Sequence, residues 1–336
     1  RVELVSNNWK DFLKMDKAQK SIDPKSLGKV VLLLGGRSSE REVSLMSGKG
    51  VFDALQGAGV DVTRFDPQEQ PLSELEKGDY DRAVISLHGR FGEDGTIQGV
   101  LEYLNIPYTG PGVRASAIAI DKNLTKLVWR ERQIPTPNGM LVTKDSDMSF
   151  VIQELGVNLV VKPSREGSSI GLTKLEYANV QTLREAVEKA AQLDPQVLVE
   201  ERIYGRELTV AILGEGQDAR VLPIIEIVAP DGDYDYQNKY FTDVVRYECP
   251  ADLSEELRDD ISATCLRAYR ALGARGWSRI DVMLAEDGRF VLLEMNTSPG
   301  MTAHSLVPLA AKNAGMSYED LVLQVAASAT LDTADR

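Results

Sequence analysis

The sequence predicts an α/β and α+β protein of two or three domains, with a parallel α/β unit first and a long antiparallel hairpin near the C-terminus. Three observations predict it. The chain has 336 residues, too many for one core. From Val30 to Leu104, short apolar runs alternate with helical patterns, which implies a mostly parallel sheet with helices on its faces. From Arg279 to Asn296, two apolar runs flank Asp287-Gly288, the signal of a two-residue hairpin turn.

Composition limits the function classes. Hydrophobic residues make up 43% and charged residues 26% of the chain, ordinary for a globular protein. A net charge of −13 argues against a general nucleic-acid or anionic-membrane surface, but a local basic pocket could still hold a phosphate ligand. Cys249 and Cys265 show no pairing or metal spacing, which suits a reducing cytosol. The two histidines exclude a His-rich metal site. No apolar run approaches the ~18–20 residues of a transmembrane helix. Residues 1–27 are broken by Lys10, Asp11, Lys14, Asp16, Lys17 and Lys20, unlike a secretory signal. They read as a short helix or a flexible or docking tail, with no chemistry assigned.

The elements follow in order. Val30 to Leu34 reads as a buried parallel strand. It ends in Gly35-Gly36-Arg-Ser-Ser-Glu-Arg-Glu, where Ser38 or Ser39 can cap a helix with Glu40 and Glu42 in its first turn. The G-x-G-x-x-G spacing of a dinucleotide site is absent. Strands are expected at Val60 to Phe65 and Arg82 to Leu87. The latter delivers His88-Gly-Arg-Phe-Gly-Glu-Asp-Gly95 to the carboxyl end of the sheet, where ligands gather. A helix from Ile97 to Leu104 precedes a Pro/Gly-rich junction at Pro107 to Val113. Asp121 and Lys122 lie in a helix running to about Arg130. Strand Asn158 to Lys162 feeds Pro163-Ser-Arg-Glu-Gly-Ser-Ser-Ile-Gly171, a Gly/Ser-rich loop fit to present N–H groups and hydroxyls to phosphate. It lacks the G-K-[ST] ending of a P-loop. Helix Val180 to Ala191 and strands Gln196 to Glu200 and Leu208 to Leu213 follow. The polar, aromatic stretch from Tyr234 to Asp243 reads as a lid.

The hairpin carries the chemistry. A two-residue turn pairs Glu286 with Arg289, Asp281 with Glu294, and Arg279 with Asn296. Opposed residues share a sheet face, so Arg279, Asp281, Glu294 and Asn296 gather on one side. Ile280, Val282, Leu284, Val291, Leu293 and Met295 make an apolar opposite side. Facing carboxylates repel unless a cation sits between them. Oxygen ligands of this kind suit Mg²⁺ bridging to a substrate phosphate.

Six motifs in order, LLGGRSSEREVSL, LHGRFGEDGTIQG, VKPSREGSSIG, YDYQNKY, GWSRIDVML and LLEMNTSPGMTAHSLVP, make the chain resemble the D-alanine–D-alanine ligases of the ATP-grasp superfamily. The likeness spans about Lys29 to Ala326. It implies a three-domain fold, divided at 28–111, 112–199 and 200–336, in which the central and C-terminal domains sandwich ATP. It implies that Asp281, Glu294 and Asn296 bind two Mg²⁺ or Mn²⁺ ions, with a monovalent cation as a further candidate. Lys122, Lys162, Ser169 and Lys239 would contact the ATP phosphates, and Glu200, Ile203 and Glu207 the adenosine. Glu40 and His88 would hold the first D-alanine, with Ser168 and Tyr240 linking the lid to Glu40. Arg279 and the Gly300 N–H would face the oxyanion, and Ser305 the second carboxylate. The resemblance further implies a cytoplasmic homodimer that joins two D-alanines through D-alanyl phosphate for peptidoglycan synthesis. The alternatives are a D-alanine–D-lactate ligase, another ATP-grasp carboxylate–amine ligase, or a silent nucleotide-binding module. Tyr240 and the Glu40–Ser168 link favour the dipeptide ligase.

Overall fold

The structure is a computed structural model that describes residues 22–167, 169–229 and 245–332. Strand β1 (Lys29–Leu33), helix α1 (Arg41–Gly57), β2 (Asp61–Phe65), α2 (Glu74–Lys77), β3 (Arg82–Ile85) and α3 (Thr96–Tyr103) form the first unit. Its sheet runs β2-β1-β3, all parallel, as the alternating pattern requires. Helix α1 begins at Arg41 with Glu40 at its N-cap and no side-chain cap. The Ser38 hydroxyl instead donates to the His88 carbonyl at 2.7 Å and accepts from the Glu40 N–H at 3.2 Å. The serine expected to cap the helix therefore ties it to the loop after β3.

Helices α4 (Val113–Ile120) and α5 (Lys122–Glu131) come next, joined at Asp121. The Asp121 carboxylate accepts the Leu124 N–H at 3.0 Å and so caps α5. The central sheet contains β4 (Gly139–Val142), β5 (Leu159–Pro163), β6 (Thr173–Leu175) and β7 (Val197–Glu201), with α6 (Met148–Leu155) and α7 (Val180–Ala191) on it. Its order is β4-β7-β5-β6, antiparallel throughout. Asn179 and Thr182 form a capping box that starts α7.

The last sheet holds β8 (Gly205–Leu213), β9 (Arg220–Val221), β10 (Ile225–Val228), β11 (Arg246–Glu248), β12 (Trp277–Ala285) and β13 (Phe290–Asn296). Helices α8 (Glu255–Ala271), α9 (Leu306–Asn313) and α10 (Tyr318–Ala327) accompany it. Its main path is β11-β10-β8-β12-β13, with β9 on β8.

Packing groups these parts differently from their order in the chain. Val30 and Leu32 of the first sheet share one core with Leu213, Val307 and Leu321. Ala115, Ala119 and Trp129 of α4 and α5, counted with the central domain in the division at residue 112, bury into the core of the last sheet with Tyr269, Ile280 and Met295. The central sheet keeps its own core around Val161, Leu183 and Val199. The carboxyl end of β3, the start of α5, the end of β5 and the β12–β13 hairpin converge between these bodies.

Candidate active site

The sheet register assembles one functional face. Arg279 opposes Asn296 on one side and Ala211 on the other. Asp281 opposes Glu294 and Thr209, and Met283 opposes Glu207. Opposed residues share a face, so Glu207, Thr209, Arg279, Asp281, Glu294 and Asn296 lie together. The pairing expected of Asp281 with Glu294 is present.

The path to it differs from the expectation in two places. The turn is a three-residue loop, because the Ala285 N–H donates to the Arg289 carbonyl at 2.7 Å. Gly288, at φ +85°, closes it in the left-handed region. That loop alone would place Glu294 opposite Ile280, on the core side. A bulge next to the Asp281 pair absorbs one extra residue and restores the site register. The core side is corrected with it. Leu292 fills the interior at 0% exposure, whereas Val291 and Leu293, both expected there, are only half-buried.

Asp281 is the hub of this face. Its two oxygens accept Arg279 Nε at 2.9 Å and Nη2 at 3.0 Å, Thr209 Oγ1 at 2.7 Å and Asn296 Nδ2 at 3.2 Å. Glu294 meets Lys122 Nζ at 3.0 Å. Among the described residues no group of three His, Cys, Asp or Glu is arranged for a metal. The donor set of Asp281, Glu294 and Asn296 is two carboxylates and one amide, which fits a hard cation that completes its shell with water and phosphate oxygens.

Helix α5 and the central sheet supply cations opposite. Lys122 is 8% exposed. Its ammonium also donates to the Glu166 carbonyl at 2.6 Å. Burial works against its charge, but Glu294 outweighs this and raises its pKa. Glu200 lies on the same face of the central sheet as Lys162, and Lys162 Nζ reaches it at 2.7 Å. The other Glu200 oxygen takes Lys126 Nζ. Burial would raise the Glu200 pKa, yet the two lysines hold it below the ordinary value.

The Gly/Ser-rich loop is anchored at its base. The Arg165 guanidinium donates to both Asp194 oxygens, at 2.9 and 2.6 Å, and Ser164 Oγ donates to Asp121 at 2.9 Å. Ser169 sits in this loop with φ +59°. Ser168 lies outside the described residues, as do Lys239 and Tyr240 with the rest of the expected lid.

The first unit adds a buried carboxylate pocket. Glu40 is 5% exposed, and a β-carbon on Gly89 or Gly167 would come within 2.7 and 2.9 Å of its Oε2. Both glycines thus lie against the carboxylate, and Gly89 also has φ +66°, a conformation that favours glycine. His88 Nδ1 donates to the Ser298 carbonyl at 2.8 Å. Its Nε2 lies 3.3 Å from Ser47 Oγ, so both ring nitrogens are engaged by protein. Burial lowers its pKa below the usual histidine value, with Glu40 opposing and Arg279 adding to the shift. Glu93 accepts the Gly89 N–H at 2.7 Å and the Ser298 N–H at 3.0 Å. Burial, then the nearby Glu40 charge, pushes it up to about 8. His88 and Glu93 thus clasp the loop after β3 to the segment leaving β13. Beyond that segment, Ser305 Oγ accepts the Thr302 N–H at 2.9 Å and lies beside Gly300.

Sequence reasoning missed Lys126, Thr209, Glu93 and Ser298. Lys126 had a signal, since it stands four residues after Lys122 on one helix face. Glu93 had a weak one, as an acid inside a glycine-rich loop.

Two nucleotide-gripping sheets, a basic pocket on one and an acidic hairpin on the other, define the ATP-grasp class of ligases. Comparison with known proteins narrows the class. Residues 128–327 match the family described as D-ala D-ala ligase C-terminus, and residues 64–111 match D-ala D-ala ligase N-terminus. The chain is 58% identical over 315 residues to the D-alanine–D-alanine ligase of Cupriavidus pinatubonensis, covering 94% of this chain and 96% of that protein. It is 58% identical over 313 residues to that of Ralstonia pickettii, covering 93% and 94%. The crystal structure of the Bacillus anthracis D-alanine–D-alanine ligase complexed with ATP superposes with a TM-score of 0.77 at 32% identity, covering 89% of this chain and 96% of that one. This chain belongs to the D-alanine–D-alanine ligase family.

Proposed function

We propose that this protein joins two D-alanine molecules into D-alanyl-D-alanine with conversion of ATP to ADP and phosphate, through D-alanyl phosphate. The product serves peptidoglycan precursor synthesis, and the protein works in the cytoplasm as a homodimer. The observation that carries the reading is the Asp281–Glu294 pair, set beside Arg279 on one sheet face and met by Lys122 from α5.

A free carboxylate is a poor acyl donor, because its leaving group would be oxide. Phosphorylation by ATP supplies a better one. Glu40 takes the ammonium of the first D-alanine, which its burial against Gly89 and Gly167 supports. Lys122 and Lys162 take phosphate oxygens, with Ser169 in the loop above them. Glu207, Ile203 and the end of β7 hold the adenosine. Glu207 faces the same side as Asp281, which supports one continuous nucleotide bed. Asp281, Glu294 and Asn296 would hold Mg²⁺ or Mn²⁺, which when bound draws charge off the phosphoryl oxygens.

The amine of a second D-alanine, once its ammonium has lost a proton, then attacks the acyl carbon. The tetrahedral adduct collapses by breaking the C–O bond to phosphate, which leaves. Arg279 and the Gly300 N–H face the oxyanion that develops, and Ser305 receives the second carboxylate. The Arg279 guanidinium is held along one edge by the two Asp281 oxygens, so it is oriented before charge appears. On the family pattern Ser168, Lys239 and Tyr240 complete the enclosure.

Phosphate release from ATP tests the reading. D-alanine should stimulate it and the dipeptide should accumulate, while D-lactate at neutral pH should be the poorer second acceptor. Release that ignores D-alanine would sink the ligase reading, and a preference for lactate would sink the dipeptide.

A further inference from the structure

Helix α5 sends two ammonium groups from one face to two different bodies. Lys122 reaches Glu294 on the last sheet. Lys126, one turn later, reaches Glu200 on the central sheet. The Lys126 side chain is 1% exposed and Glu200 2%, while Lys162 is 10% exposed. Glu200 therefore has an ammonium on each oxygen. Lys126 is the deep partner, and Lys162 is the one nearer the opening, at the end of β5 where the Gly/Ser-rich loop begins.

One buried carboxylate needs one cation. A second ammonium in a water-poor site leaves an uncompensated positive charge, which is unfavourable unless an anion comes to meet it. The anion that fits is a nucleotide phosphate, and the cation able to move towards it is Lys162. If Glu200 had no other partner, drawing Lys162 away would strand a buried carboxylate. Lys126 removes that obstacle.

We propose that Lys126 is the standing counter-ion of Glu200, and that by holding this carboxylate it releases Lys162 to bind nucleotide phosphate. The inference rests on the nucleotide-binding reading above. Lys126 touches neither substrate nor phosphate, so it is a positioning residue. Its effect falls on nucleotide affinity and not on the D-alanine sites. Burial, with the neighbouring Lys162 ammonium, brings the Lys126 pKa down to about 7 against the pull of Glu200. Withdrawal of Lys162 towards phosphate removes one of those two causes, so the Lys126 charge firms as nucleotide binds.

The test is calorimetric titration with ADP and Mg²⁺, paired with steady-state kinetics. Lys126→Met should weaken ADP binding ~10–100-fold, the range of typical coupling between sites. It should raise KM for ATP and leave KM for D-alanine unchanged. Lys126→Arg, which keeps the charge, should bind ADP within ~3-fold of the unaltered protein, below the usual range of coupling between sites. The decisive comparison is Lys162→Met with Lys126→Met/Lys162→Met. If Lys126 acts through Lys162, its removal adds nothing once Lys162 is gone, and the two bind ADP within ~3-fold of each other, below the usual range of coupling between sites. A purely structural lysine costs affinity in either background. If Lys126→Met does not fold, Lys126→Gln, which keeps a hydrogen-bond donor for Glu200 without the charge, takes its place in both backgrounds. Losses that add in full, or a Lys126→Met protein with undiminished affinity, overturn the proposal alone. An unaltered protein that binds no ADP overturns the nucleotide reading and this inference together.

Discussion

Arg279 grips Asp281 through two nitrogens of its guanidinium, and that geometry decides what substitution does. The planar fork makes two parallel bonds that a lysine ammonium cannot copy. Arg279→Ala should retain nucleotide binding and lose turnover by ~10²–10³, the usual cost of one oxyanion donor. Arg279→Lys should lose nearly as much, since it keeps the charge and forfeits the orientation. Phosphate release at saturating D-alanine measures both, and near-normal turnover in the alanine variant removes Arg279 from the chemistry. At this scale the sequence was most legible where charge lay on an alternating strand. Asp281 and Glu294 declared themselves because carboxylates at core-strand spacing need a reason. Lys126 and Glu93 did not, because one helical lysine or one loop acid reads as solvated until its burial is seen.

Among the elements, the Gly/Ser-rich loop depends on a residue from outside it. Asp194, 0% exposed, lies between α7 and β7 and accepts the Arg165 backbone N–H as well as its guanidinium. Burial would raise the Asp194 pKa, but Arg165 and the Gln196 N–H hold it below the ordinary value. Such a group stabilises the fold fully above its unfolded pKa, about 3.9. The contribution is lost as pH falls through that value towards the lower folded one. Asp194→Asn should therefore cost about 1–2 kcal/mol at pH 7, discounted because Arg165 is partly solvated. Urea unfolding should show a constant gap from the unaltered protein down to about pH 5 and a narrowing gap below it. A gap that widens in acid would contradict this assignment. The hairpin teaches the complementary lesson about legibility. Alternation fixed which residues belong together, but the turn was one residue longer than Asp-Gly suggests, and the bulge beside the Asp281 pair compensates. Neither deviation has a strong local signal. The bulge exists because Glu294 cannot be buried unpaired opposite Ile280, a constraint visible only once both strands are in place.

For the molecule as a whole, two kinds of contact join the parts. The first sheet and the last segment share one apolar core, and arginines fasten them. Arg82 donates to the Leu27 and Ala326 carbonyls at 2.7 and 3.2 Å. Arg275, stacked over the Tyr108 ring, donates to the Gly110 and Thr330 carbonyls at 2.9 and 3.0 Å. The central sheet has a separate core. Its ties to the neighbouring bodies include Lys122 to the Glu166 carbonyl, Lys126 to Glu200, Ser164 to Asp121 and Arg90 Nε to Glu166 at 3.1 Å. Polar ties across a cleft open more readily than a shared apolar core. The alternation of strands and helices announced the first sheet, and the Pro/Gly-rich junction announced a boundary. Which bodies share a core was not legible, because apolar periodicity marks a buried face without naming what covers it. The structure predicts that amides of β4, β5 and β7 exchange hydrogen as one unit, at a lower free energy than those of β1, β8 and β12. ADP with Mg²⁺, bound between the two bodies, should slow the central set selectively. At 100 times its dissociation constant a ligand that binds only the closed form adds about 2.7 kcal/mol of protection. Native-state hydrogen exchange followed by mass spectrometry reads both effects. Equal exchange in the central and first sheets without nucleotide would mean that the polar ties hold as firmly as the core.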